Sequence, residues 1–200
     1  MKKLLTALLV VASMGISGSV CAQDFDKRLK AYDAEDYATA LKWRFLAERG
    51  DAAAQFNLAL IYERGQGVVQ DDKEVVAWLR KAAEQAHALA QHNLGAKYEL
   101  GRGVVQDYKE AVAWYRKAAE QGIDGAQYSL GVMYREGRGV IQYNVYAHMW
   151  FNILSSNGNQ ADHVNFSASR DEIAEKMTAA DISKAQELAR ECVKKQYKDC

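Results

Sequence analysis

From Asp51 onwards, apolar side chains recur at the spacing of helices and not at the every-other-residue spacing of strands. Ala54, Leu58 and Tyr62 stand four residues apart, as do Ala90, Leu94 and Tyr98, and again Ala126, Leu130 and Tyr134. Each triplet predicts one buried face of an amphipathic helix. Beside each leucine sits a small residue, Ala59, Gly95 or Gly131, that lets a neighbouring helix come close. A second stripe follows each triplet: Val75, Trp78, Leu79 and Ala82, then Ala111, Trp114, Tyr115 and Ala118. Between the two stripes lies a glycine pair, Gly65 and Gly67, Gly101 and Gly103, or Gly137 and Gly139. The first glycine of each pair is expected to end the helix in the left-handed conformation, and the second to free the connecting loop. Asp71 with Glu74, and Asp107 with Glu110, have the spacing of a capping box that opens the next helix.

The pattern is a tandem repeat. Residues 51–86 and 87–122 agree at 24 of 36 positions without a gap, and 87–122 agrees with 123–158 at 13 of 36. Asp36–Gly50 matches the second half of a unit. The predicted organisation is a degenerate repeat at 23–50, three units at 51–86, 87–122 and 123–158, and capping helices at 159–200. A period of this size points to an array of helix pairs. It also disposes of a nucleotide site: the third glycine of a dinucleotide fingerprint is replaced by Gln70, no strand precedes it, and the motif occurs three times.

The two ends of the chain add a compartment. Lys2 and Lys3 precede a mostly apolar run of 13 residues, Leu4 to Ile16, too short for a membrane span of about 20 residues. The "VCA" at Val20–Ala22 fits a small-x-small cleavage rule, so 1–22 reads as a signal peptide cut before Gln23, in preference to an acylated Cys21, which Val20 suits poorly. Removing Lys2 and Lys3 from 26 bases and 26 acids leaves a net charge of −2, with no basic cluster to favour nucleic acid or anionic membrane. Cys192 and Cys200 are then the remaining cysteines, and export makes a C-terminal disulfide the expected state. In one straight helix they would lie about 12 Å apart along the axis at ~1.5 Å per residue. The bond therefore requires the chain to turn back after about Lys195. Proline is absent throughout, as suits helices punctuated by glycine.

The pattern A-x-x-x-L-G-x-x-Y-x-x-G-x-G-V-x-x-D, followed by A-x-x-W-x-x-K-A-A-x-x-G, resembles the Sel-one-like repeat, a relative of the tetratricopeptide repeat. Ala90–Gly122 carries it almost completely, and Ala54–Ala86 nearly so. Ala126–Gly158 departs from it with Tyr143 for the acid and Ile153-Leu154 for Lys-Ala, which predicts an apolar cover over its second helix. "MTAADISKAQELAREC" (Met177–Cys192) resembles the capping helix that follows such repeats, with Arg170, Asp171, Glu175, Lys184, Glu187 and Arg190 supplying a polar outer side. The resemblance implies an all-α, right-handed superhelical solenoid of helix hairpins with a C-terminal helical cap. It also implies that the first helix of each pair lines a concave groove. Position by position, that places Phe56, His92 and Tyr128 in the groove, Leu60, Ala96 and Val132 a turn further on, and Glu63, Glu99 and Arg135 beyond them. Asn57 and Asn93 either hydrogen-bond an extended peptide there or bridge adjacent helices. Trp78, Trp114 and Trp150 are assigned to the buried seam and not to a ligand ladder.

The expected function is a periplasmic or secreted scaffold that binds a protein or peptide partner in the groove, with no membrane anchor. The four histidines, His87, His92, His148 and His163, lack the spacing of a metal site, and no nucleophile–base motif appears. Catalytic residues, metal and cofactor are accordingly assigned as none. The alternative is a binder or hydrolase of cell-wall or β-lactam ligands. Relatives tied to that activity carry a cysteine pair in each repeat, and these repeats carry none.

Overall fold

The computed structural model describes residues 34–157 and 160–200, together with the side chains of 38–156 and 166–200. The expected signal peptide, Cys21 and Gln23 lie outside the described residues. Every regular element among the described residues is a helix: α1 (Ala34–Glu48), α2 (Ala52–Arg64), α3 (Asp72–Glu84), α4 (Ala88–Leu100), α5 (Tyr108–Ala119), α6 (Asp124–Glu136), α7 (Asn144–Asn157), α8 (Gln160–Ala174) and α9 (Ala179–Lys194). Two compact units divide after Gln85. In the first, α1 packs on α2 and α2 on α3. In the second, α4 to α7 stack in chain order, and both α8 and α9 pack on α7.

The hairpin turns follow one plan. Gly65, Gly101 and Gly137 take the left-handed conformation, and their N–H groups return to Ile61, Lys97 and Met133 carbonyls four residues back. Three residues after the second glycine comes a glutamine the repeat never changes. Gln70 Nε2 donates to the Glu63 carbonyl at 2.8 Å, and Gln106 and Gln142 donate to the Glu99 and Arg135 carbonyls at 2.7 Å. This side chain ties the loop across the open end of the helix it has just left.

Asp71 and Asp107 cap α3 and α5 by accepting two backbone N–H groups each. The reciprocal half of the expected capping box takes another form. The N–H groups of Asp71 and Asp107 donate to the Tyr62 and Tyr98 carbonyls, and the Glu74 carboxylate accepts the Trp78 indole N–H at 3.1 Å. The backbone of the preceding helix is close enough to satisfy these donors, so the glutamate serves the tryptophan instead.

Leu58, Leu94 and Leu130 are at most 1 % exposed. The small residues beside them work as expected. A Cβ on Gly95 would stand 2.7 Å from the Tyr115 ring, and one on Gly131 only 2.6 Å from the Phe151 ring. The second tryptophan departs from expectation. Trp78 and Trp150 are buried, whereas Trp114 is half-buried and its indole N–H has no hydrogen-bond partner among the described residues. Lys81 and Lys117 lay their ammonium groups 3.9 and 4.0 Å from the Trp78 and Trp114 ring centres, covering aromatic faces with cation–π contacts.

In the third unit that lysine position is Ile153, 1 % exposed, and α7 buries Val145, Ala147, Met149, Trp150, Phe151, Ile153 and Leu154. Here α8 and α9 supply the apolar cover. Thr178 caps α9 by accepting the Asp181 N–H. Past Lys195 the chain reverses through Gln196 and Tyr197, both at positive φ, with the Tyr197 N–H returning to the Cys192 carbonyl. Cys192 and Cys200 thereby come within 5.5 Å between Cα atoms and are joined by a disulfide.

Candidate interaction face

The first helix of each hairpin carries the residues assigned to a groove. In the first unit, Phe56, Asn57 and Leu60 are half-buried along α2. In the second unit, His92 and Asn93 on α4 and Tyr128 and Arg135 on α6 are half-buried as well. None of these seven is an open, solvated side chain.

His92 is wedged at a joint between hairpins. Its ring lies 5.6 Å from that of Tyr115 and faces the backbone of Gly125, where even a Cβ would come within 3.1 Å of the imidazole. Burial holds its pKa below the ordinary histidine value, against the opposing pull of a hydrogen bond with Asn93 and the charge of Glu99. Asn93 stands next to His92 on α4, half-buried like Asn57 on α2. Gln91 and Gln127, both buried, make bridges of the kind considered for the asparagines: Gln121 donates to Gln91 at 2.7 Å, and Gln127 to the Ala119 carbonyl at 3.3 Å.

Tyr128 does not look into an empty groove. Its ring stands 5.6 Å from Phe151 and 5.7 Å from Phe166 on α8. Arg135, two turns on, reaches Glu172 of α8 at 3.6 Å. Val132 packs on the same cluster, whose buried members are Ala147, Phe151 and Ile173. The face of α6 that carries Tyr128, Val132 and Arg135 thus already holds a helix, and that helix belongs to the chain itself. Expecting all three rings to present themselves to one open surface is corrected here: one sits in a joint and one lies under α8.

Arg135 also opens a run of alternating charges that sequence reasoning missed. It pairs with Glu136 at 3.1 Å, Glu136 pairs with Arg138 at 2.6 Å, and Arg138 pairs with Glu99 at 3.0 Å. Glu99 in turn accepts the Tyr115 hydroxyl at 2.7 Å. Burial and the hydrogen bond to Glu99 push the Tyr115 phenol far above its usual range. Burial opposes the Arg138 charge, but Glu136 and Glu99 outweigh it and hold the guanidinium protonated. The only sequence signal for this bridge was register, since Arg138 and Glu99 come from different repeats.

His87 caps α4, its Nδ1 accepting the Ala90 N–H at 3.2 Å. His148 is 2 % exposed within α7, and the His163 side chain lies outside the described residues. Among the described residues no group of three or more His, Cys, Asp or Glu side chains could hold a metal ion, and no helix is long and apolar enough to cross a membrane. A cavity of about 90 Å³ lies beside the disulfide, lined by Tyr146, Met149, Leu188 and Glu191 among others. Small-molecule sites occupy about 300–1,000 Å³, so this one is a packing gap.

The family model "Sel1 repeat" matches residues 52–87, 88–123 and 125–159. Among solved structures, a protective antigen present in uropathogenic Escherichia coli strains, displaying an SLR fold, is 36 % identical with a TM-score of 0.71. The match covers 80 % of this chain and 33 % of that one, so the chain spans about a third of the antigen's length. The Sel1 repeat protein from Oxalobacter formigenes is 38 % identical with a TM-score of 0.57, over 64 % of this chain and 96 % of that one. No curated protein matches the chain.

Proposed function

This chain belongs to the Sel1 repeat family, whose repeats generally mediate protein–protein interaction, and from that premise we propose an exported scaffold that binds a protein or peptide along the first helices of its hairpins. One observation carries the choice of face. On the third hairpin, Tyr128, Val132 and Arg135 hold α8 by an aromatic contact, an apolar cluster and an ion pair. A surface that seats a helix in cis has the shape and chemistry to seat one in trans. Export is supported by the basic, then apolar, then small-residue start of the sequence and by the disulfide at the other end.

A photo-crosslinking residue placed singly at Asn57 or Asn93, in cells that carry the native envelope, tests the face. Adducts are expected from these positions and not from Lys81 or Lys117, which lie exposed over the tryptophans. Adducts from the lysine positions alone would place the working surface on the second helices.

A further inference from the structure

In the second unit, large apolar side chains left in water gather at the turn end of the hairpins. Leu100 closes α4, Val105 lies in the α4–α5 turn, and Ile141 and Tyr143 lie in the α6–α7 turn; they are 58, 86, 90 and 37 % exposed. In each turn one valine goes in and its neighbour stays out. Val104 and Val140 are half-buried, Val140 against the core, and Val105 and Ile141 project. The two turns share one build. Gly101 and Gly137 stand at φ +66° and +69°, Gly103 and Gly139 at +73° and +70°, and Gln106 and Gln142 tie both loops back in the same way. The turns are also neighbours. A Cβ on Gly139 would collide with the Tyr108 carbonyl, and the Arg138 guanidinium lies 5.6 Å from the Tyr108 ring centre while it pairs with Glu99. The α6–α7 turn is thus seated on the first residue of α5. Val105 is three residues from that contact and Ile141 two, which puts them within about 20 Å of each other at ~3.5 Å per residue.

We infer that this turn edge is a membrane-docking surface, from which Val105 and Ile141, flanked by Leu100 and Tyr143, dip into the interfacial layer of a lipid bilayer. Exposed apolar patches mark either protein or membrane contacts, and two observations choose lipid. The first is size. A stable protein interface takes about 800 Å² and 20–30 residues from each partner, and four side chains fall well short of that. The second is shape. Side chains 86 and 90 % exposed stand clear of their neighbours as knobs; a bilayer receives knobs at any position, whereas a protein must offer a fitted hole for each. The remaining groups suit the same level. Tyr143 has an apolar ring and a hydroxyl that accepts the Lys184 ammonium at 3.1 Å, the amphipathic character found at headgroup depth. Arg102, exposed in the α4–α5 turn, is placed to meet a lipid phosphate. The chain has no basic cluster, so insertion carries the binding and charge adds little. A single myristoyl chain binds membranes with about 10⁴ M⁻¹, marginally and reversibly, and four shallow tips belong on that scale. Docking of this kind brings the chain to a membrane without fixing it there, and it is independent of the first-helix face proposed above.

Sedimentation of the full chain with extruded vesicles of phosphatidylethanolamine and phosphatidylglycerol reads the docking. Half of the protein is expected in the pellet at about 0.1–1 mM lipid. Raising salt from about 0.1 to 0.5 M should change this by less than about threefold, because screening acts on charge and not on insertion. Val105→Ser/Ile141→Ser should weaken binding by about tenfold or more at an unchanged urea midpoint, since side chains already in water add little to the fold. Leu89→Ser alters a leucine 47 % exposed at the other end of α4 and should bind as the unaltered chain does. No pelleting at about 5 mM lipid, full binding by the double serine variant, an equal loss in Leu89→Ser, or release by salt would each overturn the surface. A photo-crosslinking residue at Ile141, in cells that carry the native envelope, should yield lipid adducts. Adducts to protein alone would give the edge to a protein partner and overturn the lipid assignment.

Discussion

Gly131→Ala probes the close approach that sets the spacing of α6 and α7. A Cβ at position 131 would meet Phe151 ring atoms at 2.6, 2.9 and 3.0 Å, where ordinary van der Waals contact begins near 3.4 Å. The ring must retreat by almost 1 Å, and it is fully buried against Tyr128. Overpacking of this kind costs about 1–3 kcal/mol. Replacing glycine within a helix gains back about 1 kcal/mol, so the single substitution should be neutral to destabilising by about 2 kcal/mol. The repeat itself offers the rescue. At the positions of Gly131 and Phe151 the first hairpin carries Ala59 and Leu79, a larger residue facing a smaller one. In a Phe151→Leu background the added methyl should find room, leaving only the helix gain. A double-mutant cycle by urea unfolding, followed by far-UV circular dichroism, should therefore show a favourable coupling of about 1–3 kcal/mol between Gly131→Ala and Phe151→Leu. Additivity within about 0.5 kcal/mol would refute the idea that ring size and glycine set each other at this joint.

Ala86 stands at φ +62°, where the equivalent Gly50 and Gly122 also have positive φ. Ala86→Gly should stabilise the chain by about 1 kcal/mol, read as a higher urea midpoint at unchanged slope, because alanine in the left-handed region costs that order. Leu94→Ala, at a side chain with no exposed surface, should cost about 2–5 kcal/mol by the same measurement. Mass analysis of protein from the native host should find Gln23 at the mature N-terminus, and an acylated Cys21 would move the protein to a membrane anchor. Alkylation of that same protein should find Cys192 and Cys200 both blocked, and two titratable thiols would reject the disulfide.

The helices and turns were legible because each follows from a local rule applied three times. A leucine triplet, a glycine cap and an aspartate N-cap need only neighbours in sequence, and repetition showed which residues the fold requires. What escaped was long-range or hidden by analogy. Gln70, Gln106 and Gln142 were visible as constant residues, but that their amides close a helix end needed coordinates. The Glu99–Arg138 pair spans 39 residues and two hairpins, so no local pattern announced it. Half-burial of His92 and Tyr128 was missed because equivalence by register fixes where a residue sits, whereas Gly125 and α8 decide what covers it.

The measurement closest to the central claim is the affinity of a partner identified by crosslinking at Asn57 or Asn93, determined by calorimetry for the unaltered chain and for Asn57→Ala/Leu60→Ala/Asn93→Ala. All three side chains are half-buried on first helices, and none belongs to the buried leucine core. Anchors at an interface are worth about 2 kcal/mol or more on truncation, so binding should weaken by well over tenfold while the helical signal persists. Unchanged affinity in a folded triple variant would contradict the account, because the first helices would then not be the surface on which this scaffold meets its partner.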